Sequence, residues 1–209
     1  LQIDIMGGNI QAMPVAISYF SIEKDLKELK LDSNIPDLIA NNLVNSGLFQ
    51  LLNRDAYMQN PEQLNSTPKF RDWRIIDAQA LITGKISKKP NNKINVSVEL
   101  WDVYGEKRMF GISLSSKIKS WRRISHIISD KIYERLTGEE GYFDTRIVYV
   151  SESGSQINRK KRLAIMDQDG ANHQFLTDGN SLVLTPRFSP TQQQITFFSY
   201  RGINRGIKP

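Results

Sequence analysis

Hydrophobic and polar positions follow two different periods along this chain, and the places where the period changes mark its elements. Near the start, MPVAISYF (Met13 to Phe20) is an apolar, β-rich run that predicts a strand buried on at least one face. From Ile35 to Leu48 the apolar residues Ile35, Leu38, Ile39 and Leu43 recur at helical spacing, with Pro36 near the first turn and Gly47 at the end. A short strand, Phe49 to Leu52, is expected next. The polar, proline-containing stretch from Asn60 to Lys69 has no clear period. Three strands then follow in a row, the first from Ala80 to Ile86. In the second, Ile94, Val96, Val98 and Leu100 alternate with Asn95, Ser97 and Glu99; in the third, Phe110, Ile112, Leu114 and Ile118 alternate with Ser113, Ser115 and Lys117. Tyr104 and Gly105 suit a hairpin between them. Trp121, Ile124, Ile128, Ile132 and Leu136 return to helical spacing, between Ser120 as a candidate N-cap and Gly138 just past the end. This helix is expected to cover one face of the sheet. Residues 1–138 thus predict an α/β (α+β) domain, a mixed sheet flanked by helices.

The periodic pattern breaks at TGEEGYFD, Thr137 to Asp144, and a linker is expected over residues 139–144. Beyond it the chain reads as β-structure throughout. Asp169 and Gly170 sit between the short apolar runs RLAIM and HQFLT, a strong hairpin signal. Phe188, Ser189 and Pro190 lead through the polar turn Thr191 to Gln194 into ITFFSY. Sliding the chain along itself by 48 residues lays RIVYVSES on QITFFSYR: Ile147 falls on Ile195, Tyr149 on Phe197, Ser151 on Ser199 and Gly154 on Gly202. Chance likeness between two strands is the competing account. A repeat of this length with about four strands per copy fits the blades of a β-propeller better than helical repeats. Residues 145–209 are therefore expected to be a first blade and the start of a second, an incomplete propeller. A closed ring needs several blades, so the sequence reads as a fragment of a longer protein.

Composition narrows the classes without choosing among them. The 209 residues, 39% hydrophobic, suffice for one or two packed domains, and the absence of cysteine excludes disulfides, thiolate metal sites and a cysteine nucleophile. No apolar run approaches the roughly 20 residues that span a bilayer, and no basic start leads into an apolar signal core. The net charge is +6, but its densest run, Arg159 to Arg162, opens a predicted strand and carries no interleaved aromatic platform. A solvated strand edge explains it better than a nucleic-acid surface.

The search for catalytic chemistry is brief. His126 falls on the predicted helix and His173 in the blade, neither within a metal-binding pattern such as HExxH. There is no GxSxG elbow, P-loop, GxGxxG or calcium loop. Asp167 and Asp169 are spaced like paired carboxylates, yet their place in a hairpin turn accounts for them. Gly7 and Gly8 precede a strand rather than a helix N-terminus, which favours a flexible turn over a phosphate site. No cofactor and no metal are expected.

Taken in order, MPVAISYF, NNLVNSGLFQLLNR, DAQALITGKI, KIYERLTGEEGYFDTRIVYV, DQDGANHQFLTDG and TPRFSPTQQQITFFS resemble the TolB family of the Tol-Pal system over nearly all the chain. The departure is Thr191 and Gln192 after Ser189-Pro190, where repeats of that family commonly carry Asp and Gly. The resemblance implies a periplasmic, non-enzymatic adaptor whose signal peptide has been removed, supporting outer-membrane integrity and cell division. It implies Pal and TolA as partners, with other outer-membrane proteins beyond them, and places the main Pal contacts in propeller positions outside these residues. It also implies that TolA is taken by the N-terminal segment Leu1, Gln2, Ile3, Asp4, Ile5, Met6, Gly7, Gly8 and Asn9. Physically that segment suits a docking strand: Leu1, Ile3 and Ile5 alternate with Gln2 and Asp4, and the two glycines give a hinge. An ordinary edge strand or a frayed terminus would read the same way. Two alternatives stay open: a fragment of a propeller-containing serine peptidase, and a basic nucleic-acid binder. Retention on immobilised DNA or RNA separates the last of these. The adaptor reading expects weak, salt-insensitive retention, and a steep fall with salt would mark a nucleic-acid binder.

Overall fold

The computed structural model describes residues 12–156 and 158–200, and the chain divides into two compact units after Phe143. The first unit is built on β1 (Met13–Ile17), whose Val15, Ala16 and Ile17 are fully buried. A strand apolar on both faces belongs inside a sheet with parallel neighbours. β1 pairs in parallel with β3 (Phe49–Leu51) on one side and β4 (Ala80–Lys89) on the other. β5 (Lys93–Asp102) and β6 (Lys107–Lys117) extend the sheet antiparallel, giving the order β3-β1-β4-β5-β6. The two-residue β2 (Ser21–Ile22) adds to the far end of β4.

Parallel neighbours require crossovers, and these cover the two faces. α1 (Leu31–Asn45) joins β1 to β3 and packs with α3 (Trp121–Thr137) on the face carrying Val15, Ile17, Ile82, Val96 and Val98. α2 (Phe70–Arg74) lies between β3 and β4, and its Phe70 and Trp73 pack with Ala16, Leu81 and Trp101 on the opposite face. Trp73 Nε1 donates to Gln59 at 2.8 Å and Trp101 Nε1 to Thr83 at 3.1 Å, so both indoles bury their apolar body and keep a partner for the polar tip. Between α1 and α3 the buried Asn42 amide donates to Ser129 Oγ at 2.9 Å and lies 3.0 Å from His126 Nδ1.

The expected helix Ile35–Leu48 is in fact Leu31–Asn45, one turn earlier at each end. Pro36 therefore sits inside the helix. Its missing N–H releases the Asp32 carbonyl, which accepts from Phe20 N–H at 3.0 Å instead. Leu48 has left the helix, and its carbonyl takes the Met13 N–H at 2.9 Å. The first of the three strands runs past Ile86 to Lys89, and Gly84 within it makes room for the buried Phe20 ring, whose atoms lie 2.7 Å from where a Cβ would stand. The alternating run of the third strand stops at Lys117, leaving Ile118 in a 3-10 turn. Ser120 occupies the N-cap position of α3 without a side-chain cap. Gly138 closes that helix with φ 80°, its N–H on the Glu134 carbonyl at 2.9 Å.

The stretch expected to be a linker packs back on α3. Phe143 is 1% exposed, its N–H donates to Asp130 Oδ1 at 2.6 Å, and its ring meets Tyr133 edge-on at 5.7 Å. Residues 139–143 thus lie in the first unit. The second unit holds a three-stranded antiparallel sheet, β7 (Arg146–Ser153), β8 (Lys160–Asp167) and β9 (Gln174–Phe175), and a hairpin of β10 (Leu182–Phe188) and β11 (Ile195–Tyr200). Moved back by 48 residues, β11 falls on β7, but β10 falls on residues 134–140, where α3 ends. The 48 residues from Ile147 to Gln194 hold four strands, β7 to β10, with β10 paired to β11, the first strand of the next copy. In β10, Pro186 cannot donate to a ladder, and the register shifts between Leu184 and Arg187, with Thr185 at φ 47°.

One arrangement ties the first unit together. β3 is too short to pair with the end of β1, so two side chains substitute for it. Tyr57 Oη accepts from Ile17 N–H at 3.2 Å and donates to the Leu52 carbonyl at 3.0 Å. Arg54 Nε donates to the Ile17 carbonyl at 2.9 Å, while its Nη1 pairs with Asp37 on α1 and its guanidinium lies 4.4 Å from the Tyr19 ring centre. Burial pushes the Tyr57 phenol above its ordinary pKa. Tyr57→Phe keeps the edge-on packing against Trp73 but leaves Ile17 N–H without its acceptor. Urea unfolding of this variant is expected to show a loss of about 1–3 kcal/mol.

Candidate functional site

The expected docking segment, Leu1 to Asn9, lies outside the described residues. The structure does describe the strand that follows it. β1 begins at Met13, which pairs with Phe49 and is anchored through its N–H to Leu48.

Within the second unit, the residues singled out for chemistry serve the turns. Asp167 closes the β8–β9 connection: its N–H donates to the Ala171 carbonyl at 2.9 Å, its carbonyl accepts from Gly170 N–H at 3.0 Å, and its Oδ2 accepts from Asn172 at 2.6 Å. Asp169 Oδ1 accepts from Ala171 N–H at 3.1 Å, and Gly170 supplies the left-handed φ of 84° that this tight turn requires. The hairpin expected at Asp169-Gly170 is present, and the two carboxylates are turn-formers. His173 stands edge-on to Phe175 at 4.6 Å. In the β10–β11 turn, Ser189 Oγ accepts from the N–H groups of Thr191 and Gln192, and Ser189 N–H donates to the Gln194 carbonyl at 2.9 Å. The turn residues that depart from the family pattern are accommodated by the serine hydroxyl.

The basic run Arg159 to Arg162 opens β8 as expected, but it is more than a solvated edge. In the β7–β8 ladder Glu152 stands opposite Lys161. Lys161 Nζ reaches Glu152 at 2.6 Å and Arg159 reaches the same carboxylate at 3.2 Å. Arg162 lays its guanidinium 3.5 Å from the centre of the Phe175 ring. Three of the four cations are thus engaged within the blade. The signal was in the sequence: a glutamate and a lysine placed symmetrically about a hairpin turn face each other on the ladder.

A family model described as the TolB amino-terminal domain matches residues 1–109. The chain belongs to the TolB family. A second model, described as the TolB beta propeller domain, matches residues 133–208. The Tol-Pal system protein TolB of Pelagibacter ubique is 50% identical over 208 residues, covering 96% of this chain and 46% of that protein. The Tol-Pal system protein TolB of Paramagnetospirillum magneticum is 46% identical over 206 residues, covering 98% of this chain and 46% of that protein. The crystal structure of TolB from Acinetobacter baumannii shares the fold, with a TM-score of 0.72 at 21% identity, covering 93% of this chain and 51% of that one. The chain spans about half the length of the curated relatives it matches.

The Glu152 cluster ties β7 to β8 within the blade. The hydrogen bond from Lys161, aided by the charges of Lys161 and Arg159, holds the Glu152 carboxyl below its ordinary pKa. A lowered folded-state pKa means that this contribution is fully present above the ordinary glutamate value of about 4.3 and is lost as pH falls through the lowered one. Carboxyl NMR titration is expected to place Glu152 below the ordinary glutamate value, and Lys161→Met should move it back up.

Proposed function

We propose that this chain is the adaptor-bearing half of a non-enzymatic, periplasmic Tol-Pal component, one that binds TolA and Pal and so supports outer-membrane integrity and cell division. The observation that carries the reading is the likeness, at 50% and 46% identity over nearly all of this chain, to two proteins named Tol-Pal system protein TolB. In this reading Leu1 to Asn9 is the TolA-docking segment. Leu1, Ile3 and Ile5 form its apolar row, Gly7 and Gly8 give it freedom to turn, and it adds as a strand to the partner's sheet. Pal is taken by the propeller that residues 145–209 begin.

Two physical features support this division of labour. The described first unit holds β1 from Met13 onward between β3 and β4, a firm attachment for a docking segment that precedes it. The second unit leaves Leu182, Phe188, Phe197, Phe198 and Tyr200 exposed along one hairpin, apolar surface of the kind that neighbouring blades or a partner cover.

Removing Leu1 to Gly8 separates docking from folding. The shortened chain is expected to keep the far-ultraviolet dichroism and melting temperature of the full chain while losing capture of TolA in a pull-down. Capture that persists would remove the docking role from this segment.

A further inference from the structure

We propose that the outer edge of β6, with the cleft between it and α3, binds an extended acidic peptide by strand addition. Its residues all belong to the first unit and are other than those of the proposed docking segment, Leu1 to Asn9. Three observations lead to it. β6 is an eleven-residue strand that, among the described residues, pairs only with β5, so its other edge presents a row of main-chain donors and acceptors. Beside that edge lies a cleft of about 610 Å³, walled by Phe110, Gly111 and Ile112 on the strand and by Lys131, Glu134 and Arg135 on the helix. The charge around the edge is also one-sided. β6 itself, KRMFGISLSSK, carries Lys107, Arg108 and Lys117 and no acid. Arg108 pairs with Glu99, and Lys131 with Glu134. Lys107, Lys117 and Arg135 are exposed and make no ion pair among the described residues.

The two faces of the edge specify the guest. Phe110, Ile112 and Leu114 are half-buried on the side of the helices, so an added strand would turn its apolar residues that way, into the cleft. On the open side Ser113 and Ser115 bond to Asn95, with Arg108 and Lys117 flanking them. An added strand turns its alternate residues there, and carboxylates would find hydroxyls, an amide and cations. The fitting guest is a segment in which apolar residues alternate with acids. A second copy of this chain fits worse. Antiparallel pairing of two β6 edges about Ile112 would set Lys107 of each copy opposite Lys117 of the other, like charges directly across a ladder.

The probe is a labelled ten-residue peptide alternating valine and glutamate, compared by fluorescence anisotropy with one alternating valine and lysine, on the whole chain at low salt. The acidic peptide is expected to bind, to protect β6 amides from hydrogen exchange, and to weaken as salt rises. K117E combined with R135E should lower its affinity about tenfold or more, while K27E, on an exposed turn outside this edge, should leave it unchanged. The proposal is overturned if the acidic peptide does not bind, if the basic one binds equally well, if β6 gains no protection, or if the double variant binds as tightly as the unaltered chain. A dimer in sedimentation equilibrium that K117E strengthens, by placing a carboxylate opposite Lys107, would overturn it too, assigning the edge to a second copy.

Discussion

Everything in the first unit follows from the need to satisfy the main chain of β1. Its buried core, Val15 to Ile17, has no polar side chain and no exposed face, so each N–H and C=O must find a partner along an edge. β4 satisfies one edge completely over Val15 to Ile17. β3 satisfies the other only as far as Val15, and the Leu52 N–H completes the Val15 carbonyl at 3.1 Å. The Tyr57 hydroxyl and the Arg54 guanidinium finish what β3 leaves undone at Ile17. Because Arg54 is held in turn by Asp37, the strand, the loop after β3 and helix α1 are fixed by one set of contacts.

The same constraint dictates how the faces are covered. Two parallel partners mean two crossovers, and the single alternation in β1 sends Val15 and Ile17 to one layer and Ala16 to the other. The small Ala16 leaves space on its face for the two tryptophans, Trp73 and Trp101, each of which needs a hydrogen-bond partner that Gln59 and Thr83 supply. On the larger face α1 and α3 meet through Asn42, Ser129 and His126 rather than through apolar residues alone. A buried amide that must satisfy its donors at one register fixes how the helices sit against each other more sharply than aliphatic contact does.

How much of this was legible depended on whether an element announced itself by a period. β5 was plain, since Ile94, Val96, Val98 and Leu100 alternate with polar residues and all four are buried. α2 was not, because FRDWR is five residues long and a helix that short has no periodicity to display. Pro36 suggests a first turn because there a missing N–H costs no bond; inside α1 it leaves the Asp32 carbonyl free, and Phe20 N–H, remote in sequence, takes it. Phe143 reads as linker because glycine and acid surround it; its burial depends on Tyr133 and Asp130, which no local pattern reveals. For the candidate sites, the turn role of Asp167 and Asp169 was readable from spacing, whereas the outer edge of β6 needed the strand order, which the sequence pattern does not contain.

The two units differ in what they ask of their surroundings. The first buries an extensive apolar core of its own, on both faces of its sheet, and its exposed surface includes a long strand edge guarded by lysines. The second buries only Leu163, Ala164 and Val183 among the described apolar residues, and exposes aromatic rings along β10 and β11. Such a sheet is stable through what packs against it, which is how propeller blades hold one another. The first unit therefore holds together on its own core, while the second presents apolar strands of the kind that adjoining blades cover.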